Sequence, residues 1–165
     1  MSRRRSATLV HEGGMRFVAT TGTTRIIVYG DDFAANELSP VETLVVNLGA
    51  CSAMDVVSIA AKKRQQISSY RVHVEATQRD EYPQILTRIS VTHEVEGPAV
   101  DVAAIRRSIE LSATKYCPVS AMLSAGATEI HHRYRIRNTG REPFEAEGEA
   151  VVTGPYRRPD VVAGG

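Results

Sequence analysis

Ser39–Ile59, SPVETLVVNLGACSAMDVVSI, decides how this chain folds. Ser39 suits a helix N-cap, Pro40 the first helical position, and Glu42, three residues after the cap, completes a capping box. Between Leu44 and Ala61 apolar residues fall on every helical face. The spacing predicts a helix running to about Lys63, where Lys62, Lys63 and Arg64 suit the negative end of the dipole. A helix without a polar face is a buried one, so this segment is expected to be the hydrophobic axis of the fold. A sheet covers only one side of such a helix. A second subunit is the economical cover for the other.

Upstream, Ser6 to Glu12, Arg16 to Thr20 and Thr24 to Tyr29 read as short strands joined at Gly13-Gly14 and Thr21-Gly22-Thr23, a meander of hairpins. Gly30-Asp31-Asp32 reads as a turn and Phe33 to Leu38 as a connector. Downstream, Tyr70 to Ala76 and Ile85 to Val95 alternate apolar and polar residues, the period of half-buried strands. Asp101 is positioned to cap a helix reaching Tyr116, with Val102, Ile105, Ile109, Ser112 or Ala113, and Tyr116 on its apolar face. Pro118 begins a separate short helix with Cys117 as its N-cap and Gly126 closing it. Glu129 to Arg137 is a last strand. Residues Asn138 to Gly165 hold three of the seven prolines and five of the twelve glycines, and read as an extended or partly disordered tail in which Ala150-Val151-Val152 could pair at a sheet edge. Strands and helices come in segregated runs, which points to an α+β fold with antiparallel sheets.

At 165 residues and 42% hydrophobic, the chain is long enough to bury a core of its own. Twenty basic and nineteen acidic residues leave a net charge of +1, which favours neither nucleic acid nor an anionic membrane as partner. His11, Glu12, Gly13 and Gly14 follow the arginines at 3–5 where a secretory signal needs an apolar run, and Asn47, Gly49, Ser52 and Asp55 interrupt the longest apolar stretch, so that no membrane span is expected. A cytoplasmic protein is expected.

The two cysteines are the candidates for chemistry. In an intracellular chain, two cysteines are more often reactive or metal-bound than structural, although a buried free cysteine is also a common inert filler. At a helix N-cap the Cys117 sulfur would face free backbone N–H groups and the positive end of the dipole, with Lys115 nearby, all favouring a thiolate. Cys51 lies mid-helix, and Asp55 one turn later carries charge of the wrong sign to help it ionise. Nine helical residues, at a rise of about 1.5 Å each, put Glu42 roughly 13 Å from Cys51 on the opposite face. Glu42 therefore serves only the capping box, or reaches a cysteine of another chain, or meets Cys51 through a break in the helix near Gly49. Adjacent His131 and His132 point to opposite faces of a strand, no Cys-x-x-Cys pair is present, and no glycine loop is placed to cradle phosphate. No metal site or cofactor is expected. His93 falls on the apolar face of its strand and reads as a hydrogen-bonded core histidine.

Ser39-Pro-x-Glu-x-Leu, then Leu48-Gly-Ala-Cys-Ser-Ala-Met-Asp, and later Lys115-Tyr-Cys-Pro-Val-Ser resemble the OsmC/Ohr family of osmotically inducible and organic hydroperoxide resistance proteins. The likeness spans roughly Ala7 to Ile136, so that residues 1–137 would be an OsmC-like domain and 138–165 its tail. The resemblance implies an intertwined homodimer around the long helix, with active sites at the interface, and thiol peroxidase chemistry on organic hydroperoxides. Cys51 would be the attacking thiolate and Cys117 the resolving thiol, with a dithiol such as a dihydrolipoyl group reducing the disulfide. It also implies an arginine and a glutamate that hold the thiolate, for which Arg16 and Glu42 are the candidates. Glu42 stands one residue later than the family's glutamate, since Val41 follows the proline. A non-catalytic dimer that binds a small hydrophobic ligand or senses oxidation, and a sulfur-transfer role using one cysteine, are the alternatives.

Overall fold

In a computed structural model the described residues are 5–21, 24–30 and 37–154. They form an α+β fold. The chain divides into two compact units, Met1–Leu44 and Val45–Gly165. The expected turns at Gly22-Thr23 and Asp31-Asp32, and most of the connector at 33–38, lie outside the described residues.

In the first unit β1 (Thr8–Gly13), β2 (Arg16–Thr21) and β3 (Thr24–Tyr29) form an antiparallel meander in sequence order. Gly13 and Gly14 turn the first hairpin with φ of 111° and 52°, backbone that L side chains resist. The long helix α1 (Pro40–Lys62) starts as its sequence demands. The Ser39 N–H donates to Glu42 Oε2 at 2.8 Å and the Glu42 N–H donates to Ser39 Oγ at 3.1 Å, a complete capping box. Its far end is closed by Arg64, which takes the left-handed φ of 58° usually left to glycine.

In the second unit a four-stranded sheet runs β4 (Ser69–Gln78), β5 (Leu86–Gly97), β6 (Glu129–Asn138), β7 (Phe144–Thr153). Here the expectation of purely antiparallel sheets fails: β5 and β6 are parallel, from Arg88↔Glu129 to Gly97↔Asn138. Parallel neighbours need a long crossover, and α2 (Val102–Leu111), a π-helical turn (Ser112–Tyr116) and α3 (Pro118–Ser124) supply it. The segment read as a tail contributes all of β7, antiparallel to β6 at the sheet edge, so the pairing extends well beyond Ala150-Val151-Val152. From Pro155 onward the tail lies outside the described residues.

The core sits where α1 and α2 meet the sheet. Val56 and Ala60 of α1, Ile105 and Ile109 of α2, Val95, Ile136 and Ala150 of three strands, and Val100 form one buried cluster. Removing each of the larger side chains from water stabilises the fold by about 1.5–3 kcal/mol. Burial of α1 is a stripe rather than a full circumference. Leu48, Ser52, Val56 and Ala60, spaced four apart, are completely buried, whereas Val46, Met54 and Val57 are 57%, 75% and 45% exposed. Composition alone could not separate a helix buried by its own chain from one half-covered by it. By length and composition α1 is also apolar enough to cross a membrane, which the polar interruptions were expected to prevent. Two of those interruptions have partners inside this unit: Ser52 is hydrogen-bonded to His93 and Asp55 to Ser112.

Candidate functional site

The second unit brings the two cysteines together. Cys51 stands mid-way along α1 and is half-buried; Cys117 caps α3 and is buried. Asp55, one turn beyond Cys51 on the same face of α1, joins them, and the Sγ, carboxylate oxygen and Sγ all lie within 4.8 Å of one another. Neither cysteine is in a disulfide.

Local sequence explains how Cys117 arrives there. The expected single helix from Asp101 to Tyr116 breaks its register at Ser112, where the backbone widens into the π turn and the Cys117 N–H donates to Ser112 O at 2.9 Å, an i→i−5 bond. This turn buries Ser112 and Ala113 but leaves Tyr116 half exposed, off the apolar face assigned to it. Pro118 cannot continue a helix through its nitrogen and instead starts α3. Cys117 takes the N-cap with an extended backbone, and its sulfur accepts the Ser120 N–H at 3.3 Å, as the sequence foretold. The consequence for ionisation is the reverse of the expected one. Burial, followed by the hydrogen bond to Cys51, pushes the Cys117 thiol up to about 12, outweighing the Ser120 and Val119 N–H groups that favour the thiolate. Cys117 is therefore a protonated thiol at neutral pH.

Behind the thiols runs a polar chain buried through the core. Ser112 Oγ is 3.1 Å from Asp55 Oδ2 and 3.4 Å from Ser52 Oγ; Ser52 Oγ is 3.3 Å from His93 Nε2; and His93 Nδ1 is 2.7 Å from the Tyr70 hydroxyl. One assignment of protons satisfies every member. The Tyr70 O–H donates to His93 Nδ1, His93 Nε2–H to Ser52, Ser52 O–H to Ser112, and Ser112 O–H to the Asp55 carboxylate. The assignment needs a neutral imidazole and an un-ionised phenol. Both are provided: burial, with His132 adding repulsion, lowers His93 to about 3, and burial raises Tyr70 above its ordinary value. His93 is thus the hydrogen-bonded core histidine that its strand position suggested.

His132 on β6 is likewise fully buried and lowered to about 4, by burial first and His131 second. Its Nε2 is 3.5 Å from Ser120 Oγ, while its Nδ1 has no hydrogen-bond partner among the described residues. His131 faces the other way, as expected, between Glu149 at 2.7 Å and Glu129 at 2.5 Å.

The other two residues singled out from the sequence lie in the first unit. Arg16 donates through Nε to Glu12 Oε2 at 3.1 Å and through Nη1 to Glu37 Oε1. Glu42 is engaged by Ser39 instead. Within this unit, then, Arg16 is held by Glu12 and by the buried Glu37, which the sequence reading passed over as part of a connector. Gly30 packs against Glu37: a Cβ at that position would collide with the Glu37 carboxylate, which would have to shift to admit one. An apolar groove of about 480 Å³ lies between α1 and β4, lined by Val46, Gly49, Ala50 and Ala53 on one side and Tyr70 and Val74 on the other.

Residues 32–140 match the family model of OsmC-like proteins. The chain belongs to the OsmC-like family. Protein YhfA of Escherichia coli strain K12 is 34% identical over 123 residues, covering 74% of this chain and 91% of its own. Among solved structures, a hypothetical protein from Aquifex aeolicus superposes with a TM-score of 0.74 at 26% identity, over 82% of this chain and 97% of that one. An organic hydroperoxide resistance protein from Elizabethkingia anophelis shares the fold with a TM-score of 0.59 at 13% identity, over 84% of this chain and 99% of that one. The OsmC-like fold read from Ser39–Ile59 and the Cys117 segment is therefore the fold present.

Proposed function

We propose that this OsmC-like protein is a cysteine-based peroxidase that reduces organic hydroperoxides. The observation that carries the reading is the pairing of a half-buried Cys51 with a buried, protonated Cys117 whose sulfurs lie within 4.8 Å on different elements. The Cys51 thiolate attacks the distal peroxide oxygen, the O–O bond breaks, and the alkoxide leaves as an alcohol after taking a proton. Cys51 is then a sulfenic acid. The Cys117 sulfur displaces its hydroxyl as water, closing a disulfide with an S–S bond of about 2.05 Å. An external dithiol, of the dihydrolipoyl kind, exchanges with that disulfide and restores both thiols.

Exposure supports the division of labour: a substrate reaches Cys51 before it reaches Cys117. The groove lined by Ala50 and Ala53, one position before and two positions after Cys51 on α1, offers an apolar wall suited to the organic part of a hydroperoxide. We assign Arg16 the cationic role that the family's chemistry asks for, held by Glu12 and Glu37, and leave Glu42 to cap α1. The working form is a cytoplasmic homodimer, supported by the exposed apolar row Val46, Met54 and Val57 on α1, which a second copy would cover. Consumption of cumene hydroperoxide with a dithiol reductant tests the reading. Wild type should turn over, Cys51→Ser should be inert, and Arg16→Ala should be slowed. A wild type no faster than free cysteine sinks it.

A further inference from the structure

The trio Cys51, Asp55 and Cys117 has a second chemical use. We propose that it is a binding site for one thiophilic divalent cation of the zinc and cadmium type, with two sulfur ligands, one oxygen ligand and a fourth position open to solvent or a small anion.

Four features of the trio carry this. The three donor atoms already lie within 4.8 Å of one another. Tetrahedral zinc, with bonds of about 2.3 Å to sulfur and 2.0–2.2 Å to carboxylate oxygen, needs its donors roughly 3.5–3.8 Å apart. An inward movement on the order of 1 Å, within reach of side-chain rotation, completes the shell. The donors also stand on firm supports: Cys51 and Asp55 are one turn apart on α1, while Cys117 is pinned by the Ser120 N–H and by the π turn. The carboxylate is oriented by the Ser112 hydroxyl at 3.1 Å, itself held by the buried chain through Ser52 to His93, the kind of outer support that metal ligands receive. Finally, two thiolates and a carboxylate present three negative charges to the ion, and sulfur donors select zinc or cadmium over magnesium or calcium. Sequence spacing hides the set because one sulfur comes from a helix more than sixty positions away.

Binding displaces the thiol protons to water, so affinity rises with pH. With both sulfurs bonded to the ion, neither is free to attack or to close a disulfide; conversely, a disulfide removes two of the three ligands. The site stands on geometry alone and does not depend on whether Cys51 reduces hydroperoxides.

The test uses the reduced, full-length protein. Cadmium titration should give one thiolate-to-metal charge-transfer band per chain, and zinc should displace it and protect both cysteines from alkylation together. Asp55→Asn, which keeps size and shape, should weaken zinc binding at least tenfold, and Ser112→Ala about 10- to 100-fold. Cys51→Ser and Cys117→Ser should each lose the shared protection. Zinc bound no tighter by wild type than by Cys51→Ser, protection of only one cysteine, or an Asp55→Asn affinity equal to wild type would each overturn the site. Protection and the Asp55→Asn affinity decide the matter even if Cys117→Ser does not fold.

Discussion

Acid should unfold this protein through two histidines that no solvent reaches. His93 and His132 are completely buried and held neutral, lowered to about 3 and about 4 from an ordinary value of 6.5. In the unfolded chain both titrate near 6.5. Each is a base whose folded value is depressed, so its stabilising contribution is complete above pH 6.5 and is lost as pH falls toward 4 and 3. Below the unfolded value the unfolded chain holds about two more protons than the native one, and stability drops by about 2.7 kcal/mol per pH unit. Between pH 6.5 and 5 the loss amounts to about 3 kcal/mol, because the two groups are only half charged at the upper limit. That is a large part of a domain stability of about 5–15 kcal/mol. The window lies above the ordinary range of carboxylates, whose titration would otherwise mask the effect. Urea unfolding followed by circular dichroism at pH 7.5, 6.5, 5.5 and 5.0 measures it, and His93→Gln should roughly halve the slope. A stability flat to within about 1 kcal/mol from pH 6.5 to 5 would refute the burial argument for both rings.

Three further outcomes follow from the same geometry. Ser39→Ala removes one side of the capping box at the start of α1 and should cost about 0.5–2 kcal/mol in urea unfolding, with little effect on cysteine chemistry. Gly49→Ala places a Cβ 2.9 Å from Val74 Cγ2, so β4 or its side chain must give way; a loss of about 1–3 kcal/mol is expected, together with a narrower groove. Cleavage of the Cys51 sulfenic acid by Cys117 should accelerate up to about tenfold per pH unit from pH 6 to 9 without a plateau, since the resolving thiol is pushed up to about 12. A rapid-quench time course that levels off near pH 8 would contradict that.

The helix start at Ser39, the hairpins and the strand periods were legible because each depends on residues close together in sequence. The parallel pairing of β5 with β6 was not: it follows from where a crossover lands, and alternation of apolar residues is the same in either direction. The π turn was hidden because Ser112 through Tyr116 continues a helical pattern, and only the bonding of Cys117 N–H to Ser112 O reveals the added residue. At the site, both cysteines and the capping role of Cys117 could be read. The ionisation of Cys117 could not, because the dipole and the Ser120 N–H are local whereas burial is set by the whole unit. Asp55 was seen as a neighbour of Cys51, but its link to Ser112 joins residues 57 positions apart. Glu37 was missed for a similar reason: a lone glutamate in a connector gives no sign that Arg16 and Gly30 close around it.

The central claim is that Cys51 takes oxygen from a hydroperoxide and Cys117 resolves it. Intact-mass measurement after one equivalent of cumene hydroperoxide, without added reductant, tests it most directly. The account predicts that wild type loses two hydrogens as a disulfide, Cys117→Ser gains a single oxygen on Cys51, and Cys51→Ser is unchanged. A wild type that stays fully reduced, or a Cys51→Ser variant that is oxidised just as fast at Cys117, would contradict it.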